Sequence, residues 1–322
     1  MQISDLPPSL TYYPDDRPGI TRRRAGRGWS YRAPDGTRID DTKERERLNA
    51  LAVPPAYSDV WISPKTNGHL QATGLDARTR KQYRYHPDWT AHRAAAKFDN
   101  LADFGAALPA LRRRIHKVLT DGHTDTPDFA IAACLRLIDG AALRVGTPDY
   151  AEENETYGAT TLRTEHVTLG RDGIAVSYTG KGGQSVDKTL KDATLQKALE
   201  ELESLSGAEL MAYETPEGTR SIGPDQVNDW LRDATGASNL TAKTFRTWAG
   251  SVAAMDVALR EPSPTITAMA EAAATRLHNT PTIARNSYIH PSVIALCDAD
   301  VPEVPSTPSG LRRAERALMM LL

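Results

Sequence analysis

At 322 residues the chain exceeds the usual single-domain size, and a 40% hydrophobic share supplies apolar surface for two cores while 6% aromatics argue against a stacking-rich binding sheet. No apolar run approaches the roughly 18 residues of a membrane helix, and the first residues, Met1-Gln-Ile-Ser-Asp-Leu-Pro-Pro8, lack the basic and apolar stretches of a secretory signal. A net charge of −2 argues against nucleic acid until the chain is divided: residues 1–123 carry 21 Lys and Arg against 14 Asp and Glu, the remainder 18 against 27. A basic first part on an acidic second part is the asymmetry of a polyanion-binding module, or of a solvated basic face. Cys134 and Cys297 have no ligand spacing and read as buried thiols, so a soluble cytoplasmic protein is expected.

Residues 1–20 read as an extended lead-in. The basic run Arg22-Arg-Arg-Ala-Gly-Arg-Gly28, then Trp29-Ser-Tyr-Arg32 and Asp35-Gly36, predicts a hairpin about the Asp-Gly turn. A short helix capped by Asp41 follows and stops before Pro54-Pro55. Asp59-Val-Trp-Ile-Ser63, His69-Leu-Gln-Ala-Thr73 and Lys81-Gln-Tyr-Arg-Tyr-His86 predict three short strands, with Asn67-Gly68 as a turn. Neither face of the third is apolar, which suits an edge strand with flat-packed tyrosines and equally suits a strand that grips a phosphate backbone. Residues 87–119 are helical by pattern. Thr120-Asp-Gly-His-Thr-Asp-Thr-Pro127 is the best linker candidate, dividing a β-rich domain over 1–122 from a second domain over 123–322.

An Ala/Leu-rich helix over 129–145 ends at Arg144 before Gly146. Strands at 165–169, 174–179 and 184–187 then form two hairpins, with Lys181 on the second tip, Gly180-Lys-Gly-Gly183. Beyond Leu190 the pattern is helical throughout, including a helix started by Thr280-Pro281 that carries Ile283, Arg285 and Tyr288, and an amphipathic tail over 310–322. The fold class is α+β. No HExxH, EF-hand loop or ligand-spaced cluster supports a metal, and the Gly180 loop lacks the spacing of a nucleotide phosphate loop.

Cations that could gather about Tyr288 remain. A phenol with a pKa near 10 needs positive charge nearby to act as a nucleophile at neutral pH. A phosphoryl transition state needs donors on its non-bridging oxygens, and the departing oxygen needs a proton. Arg144, Lys181, Lys243, Arg246 and Asn279 are of the right type, although Arg144 could equally cap a helix, Lys181 fill a turn, Arg246 pair with a carboxylate and Tyr288 pack at a helix end.

The ordered set of Arg144, the Glu153-Asn-Glu-Thr-Tyr-Gly158 loop, Lys181 on Gly-Lys-Gly, Lys243-Thr-Phe-Arg-Thr247 and Asn279-Thr-Pro with Arg285-Asn-Ser-Tyr288 resembles the type IB DNA topoisomerases, most of all their bacterial, poxvirus-like branch. His69-Leu-Gln-Ala-Thr-Gly74 and Arg80-Lys-Gln-Tyr-Arg-Tyr-His86 extend the resemblance into the first part. It implies a β-rich N-terminal domain and a mostly helical catalytic domain with a three-stranded sheet, forming a C-shaped clamp around double-stranded DNA. It implies relaxation of supercoils through a 3′-phosphotyrosyl intermediate, without ATP, metal or other cofactor, by a cytoplasmic, nucleoid-associated monomer. Carried over by position, Tyr288 attacks, Arg144 and Arg246 hold the phosphate, Lys181 protonates the 5′-hydroxyl and Lys243 assists. Lys65, Gln71, Gln82, Tyr83, Tyr85 and Tyr150 contact DNA. The family commonly has histidine where Asn279 stands; an asparagine amide can still donate to a non-bridging oxygen, without the charge. His278 points about 100° away on a helix start and is set aside. A tyrosine site-specific recombinase is the alternative, since it shares the constellation and would use the tail to assemble.

Overall fold

The computed structural model describes residues 6–304 and 310–322. The chain divides into two compact units, one up to Ala96 and one from Lys97 to Leu322.

The first unit is built on a five-stranded antiparallel sheet in the order β2-β1-β3-β4-β5, from β1 (Ile20–Ala25), β2 (Gly28–Arg32), β3 (Ser58–Ile62), β4 (Leu70–Leu75) and β5 (Lys81–Tyr85). The Arg22–Arg24 run is itself strand β1, and the β1–β2 hairpin turns at Gly26, whose φ of +58° favours glycine. Asp35-Gly36, expected to be the hairpin turn, closes only a smaller loop bridged by Arg32 and Arg38. Helix α1 (Thr42–Ala50) is capped as expected, the Asp41 carboxylate accepting from the Glu44 amide. Leu48 from α1 joins Ile20, Tyr31, Val60, Ile62 and Ala72 in a small core. Arg22 does not reach solvent as a free cation. It donates to the Val53, Pro54 and Tyr57 carbonyls and stacks 3.9 Å from the Trp29 ring.

Helix α2 (Pro87–Asp99) is followed after one residue by α3 (Leu101–Asp121). The compact units divide at 96/97, whereas the sequence suggests a domain boundary at 122/123. Leu101, Phe104, Leu108, Leu111, Ile115 and Leu119 of α3 are buried in the core of the second unit, so the polar stretch after α3 is a turn between two helices of that unit. Its partner is α4 (Pro127–Ala141), whose apolar residues from Phe129 to Ala141 are buried while Asp128, Arg136 and Asp139 stay at its margins. Cys134 on α4 is fully buried, and burial pushes its thiol pKa upward; both cysteines are free.

Beyond α4 lie α5 (Pro148–Asn154), a three-stranded antiparallel sheet of β6 (Val167–Gly170), β7 (Gly173–Gly180) and β8 (Gln184–Leu190), and α6 (Ala193–Glu203). A two-stranded ribbon, β9 (Ala212–Thr215) with β10 (Gly218–Ser221), interrupts what the sequence presents as an all-helical remainder. Four residues per strand are too few for a periodic signal, and the Glu217-Gly218 turn is its one sequence mark. Helices α7 (Pro224–Thr235), α8 (Ala242–Arg260), α9 (Ile266–Leu277), α10 (Pro281–Tyr288), α11 (Pro291–Ile294) and α12 (Arg313–Met319) complete the unit. The tail helix α12 packs on α8 and α3 of its own chain. Its Glu315 is fully buried and takes hydrogen bonds from both Arg112 terminal nitrogens at 2.7 and 3.0 Å, while Arg112 also grips Asp139. Among the described residues no helix is long and apolar enough to cross a membrane, and no group of His, Cys, Asp and Glu could hold a metal ion.

Candidate active site

One face of α8 organises the site, because Lys243, Arg246 and Gly250 recur at helical spacing. Gly250 faces α10: a Cβ there would lie 2.8 Å from both the Cβ and the carbonyl oxygen of Tyr288, so only glycine lets the two helices meet this closely. Ser251, fully buried, donates to the Tyr288 carbonyl at 3.0 Å and accepts from the His290 amide at 2.9 Å. Helix α10 starts as its Thr-Pro step predicts, with the Thr280 hydroxyl accepting from the Ile283 amide. Buried Ala284 and Ile289 hold its inner side, and Tyr288 closes it half-buried.

Arg246 is 4% exposed, and its guanidinium carbon lies 5.3 Å from the centre of the Tyr288 ring. Its terminal nitrogens donate to the carbonyls of Ala142, just past α4, and Leu277, at the end of α9. A guanidinium has five N–H donors; two go to these carbonyls, one bonds the Tyr288 hydroxyl, and the buried Nε has no protein partner. Arg246 therefore spans two helix ends while keeping donors for a third group.

Arg144 does not cap a helix. Helix α4 stops at Ala141, Ala142 turns left-handed at φ +56°, and Arg144 follows in the irregular segment beyond it. That segment is fixed by the next turn: the Arg144 carbonyl accepts from Ala159 and the Val145 carbonyl from Thr160, each at 2.7 Å. Gly146 and Gly158 make this approach possible, since a Cβ on Gly158 would come within 2.5 Å of the Gly146 nitrogen. Arg144 donates to Oδ1 of Asn279 at 2.9 Å. An arginine can only donate, so the amide must turn its oxygen to Arg144 and its Nδ2 away, and this buried Nδ2 has no partner. Asn279 therefore keeps its amide donors unspent, as its expected role would need.

These charges act on the phenol. Burial alone would raise the pKa of Tyr288, but Arg246 and Arg144, with a smaller contribution from Lys243, more than reverse this and hold it below its ordinary value. Neighbouring Tyr178 shows the contrast: burial outweighs the same two arginines and pushes it up to about 12. Lys97, absent from the sequence-based candidates, belongs to this group. Its ammonium donates to the Asn286 carbonyl on α10 at 2.9 Å, and burial followed by the Lys243 charge lowers its pKa. A lone lysine at the end of an Ala-rich helix carries no signal in sequence. Lys181 is not drawn into the cluster. It sits on the exposed β7–β8 tip, its ammonium 5.7 Å from the centre of the exposed Tyr150 ring on α5. His278, set aside from the sequence, is left-handed at φ +47°, and its buried Nε2 has no protein partner.

In the first unit, β5 is an edge strand whose tyrosines nevertheless face solvent. Tyr83 and Tyr85 are 49% and 44% exposed and stack 6.0 Å apart with a 7° interplanar angle. They border a cavity of about 640 Å³ lined also by Arg47, Gln71, Gln82 and Arg84. Gln82 donates to Asp76 at 3.0 Å. Gln71, expected to contact DNA, is 4% exposed and spends its amide on the carbonyls of Lys65, Thr66 and Gly68. It shapes the turn that presents Lys65, which is exposed.

A tyrosine on a helix end thus lies beside two arginines and two lysines, with Asn279 held by one of the arginines, an arrangement of a kind that could lower the cost of phosphoryl transfer to a phenol. Residues 86–284 match the family model for the eukaryotic DNA topoisomerase I catalytic core, and residues 28–76 that for the bacterial DNA topoisomerase IB N-terminal domain. The chain belongs to the type IB DNA topoisomerase family and is an isomerase of that class. It is 29% identical to DNA topoisomerase 1B of Acanthamoeba polyphaga mimivirus over 76% of this chain and 73% of that one. It is 25% identical to DNA topoisomerase 1B of Vaccinia virus (strain Copenhagen) over 44% of this chain and 46% of that one, so the match spans under half of the vaccinia enzyme. The relationship supports action on DNA and DNA relaxation at the level of the family.

Proposed function

We propose that the chain relaxes supercoiled duplex DNA by cutting one strand through a 3′-phosphotyrosyl intermediate and resealing it, without ATP or metal. The observation that carries this reading is the set of buried N–H donors left without a protein partner beside a phenol of lowered pKa: Arg246 Nε and Asn279 Nδ2. Buried donors in native proteins are nearly always satisfied, and two of them beside this phenol suit the non-bridging oxygens of a phosphate.

In the proposed step the Tyr288 phenol, its pKa held down by Arg246 and Arg144, loses its proton to solvent water and its oxygen attacks the phosphorus. The Arg144, Arg246 and Asn279 donors bear the charge on the non-bridging oxygens, and the bond to the 5′-oxygen breaks. Lys181 gives that oxygen a proton, and Lys243 assists. Religation is the reverse, with the 5′-hydroxyl attacking and the tyrosinate leaving. Lys65, Gln82, Tyr83, Tyr85 and Tyr150 are proposed to touch the duplex, and a monomer in the nucleoid is the proposed working form. The tyrosine recombinase reading would instead send the tail helix, which packs on α8 and α3 in this chain, to a second copy.

A suicide substrate that releases a short 5′-hydroxyl strand tests the proposal. A covalent adduct should form in the presence of EDTA, and peptide mapping should place the DNA 3′ end on Tyr288. An adduct at the 5′ end, or on another residue, refutes it. The same assay tests Asn279. Asn279→Ala should slow single-turnover cleavage about 100-fold, the scale of one oxyanion donor, while Asn279→His should match or exceed the parent. An unchanged rate for the alanine variant removes Asn279 from the site.

A further inference from the structure

We infer that Lys188 is a positioning residue, a latch that ties the β7–β8 hairpin to the end of α9 and so places Lys181 for its proton transfer. The inference rests on the proposed role of Lys181 as the acid.

Strand β8 alternates, and its even-numbered positions face inward. Val186 is buried there and Leu190 half-buried, and between them stands Lys188. A lysine on an inward face must find partners, and Lys188 finds them at the C-terminus of α9. The last four carbonyls of a helix have no partner within it. In α9 the Ala274 carbonyl accepts from the Asn279 amide at 3.0 Å and the Leu277 carbonyl from Arg246 at 2.8 Å. The two between them, Thr275 and Arg276, accept from the Lys188 ammonium at 3.3 and 3.1 Å. All four are thereby satisfied, and the negative end of the helix dipole faces two cations.

The environment makes Lys188 costly to keep. Burial, then the charges of Arg276 and Arg246, pulls its pKa down to about 8, and its own charge in turn helps to lower the pKa of His278, which Asp187 opposes. An apolar residue would be easier to accommodate on this face, so capping alone does not account for a lysine. What the lysine adds is a link between two site elements. One residue beyond the carbonyls it holds come His278 and Asn279. Seven residues before it, across the tip, is Lys181.

The hairpin is the partner that needs holding. Helix α9 is anchored independently by Arg246 and by Arg276, which donates to the Asp139 and Gly140 carbonyls. The hairpin tip is exposed from Lys181 to Ser185, and Gly182 and Gly183 both have positive φ. Its last inward apolar residue before the tip is Val186. Without Lys188 the tip can swing while α9 stays in place, so the loss should fall on the step that uses Lys181.

The test is single-turnover cleavage by Lys188→Met, Lys188→Arg and Lys181→Ala, on the natural DNA linkage and on one with a 5′-bridging sulfur, whose leaving group needs no proton. Lys188→Met should cleave the oxygen substrate roughly 10- to 100-fold more slowly, the scale of an ångström-level misplacement. It should recover most of that loss on the sulfur substrate, with DNA affinity unchanged. Lys188→Arg, which keeps charge and donors, should show a smaller loss with the same recovery, and is the variant read if Lys188→Met does not fold. Equal loss on both substrates, or no loss, overturns the latch when Lys181→Ala is itself rescued by sulfur. Failure of sulfur to rescue Lys181→Ala overturns the acid reading, and the latch with it, and that control tells the two failures apart.

Discussion

Tyr288→Phe is expected to abolish plasmid relaxation and covalent adduct formation while leaving DNA binding within a few-fold of the parent. The change removes one oxygen from a half-buried ring and leaves its packing against Gly250 and Arg246 intact. Helix α10 should not notice, because Thr280, Ala284 and Ile289 hold it, and the backbone carbonyl of residue 288 still accepts from Ser251. Catalysis should fall by roughly four orders of magnitude or more, the scale on which loss of a covalent nucleophile acts. No other phenol replaces it: Tyr178 shares Arg246 and Arg144, but its pKa is pushed up to about 12 and its ring is buried on β7. Relaxation of a supercoiled plasmid in EDTA, read with a denaturing gel for the adduct, checks both halves. A variant that still relaxes DNA refutes Tyr288 as nucleophile, and one that no longer binds shows that the hydroxyl serves structure instead.

The local structure around Tyr288 was legible because it depends on neighbours in sequence. Thr280-Pro281 started α10 as expected, and Asn67-Gly68 and Asp41 did their work where they stood. The hairpins of β6, β7 and β8 also followed from alternation and glycine turns. What local pattern could not supply was partnership across the chain. Residues 120–127 have every mark of a linker, yet the helix before them buries its apolar face against the helix after them, so the unit boundary lies at residue 96. Arg144 looked like the final charged residue of a helix running to Val145 because nothing nearby shows that α4 ends at Ala141, before a left-handed Ala142. Gln71 was selected by its motif, while the structure uses its amide to brace the turn below Lys65. Lys97 and Lys188 reach the site through backbone carbonyls of α10 and α9, and carbonyl partners leave no trace in side-chain patterns.

Glu315→Ala should destabilise the second unit by about 3 kcal/mol, the lower end of the cost of breaking a buried ion pair. The lower end applies because Arg112 keeps Asp139 at 2.8 and 2.9 Å, whereas Arg312, largely exposed, returns to water. Burial alone would raise the Glu315 pKa, but hydrogen bonds from Arg112 and Arg312 more than reverse it, holding the carboxyl far below the usual carboxylate range. The sign follows from that depression. The contribution is fully present above the unfolded pKa near 4 and is lost as pH falls from there toward the folded value. Thermal melts should therefore separate parent from variant by roughly 6–12 °C at pH 7, at about 2–4 °C per kcal/mol for a unit of this size. The gap should narrow below about pH 4. Equal melting temperatures at pH 7 would show that the ionic network contributes nothing net. The consequence reaches the site, because α12 lies on α8, and α8 carries Lys243, Arg246 and Gly250. Relaxation by Glu315→Ala should match the parent at low temperature and fail in step with the earlier melt. An exchanged tail serving a neighbouring copy would instead make activity depend on protein concentration.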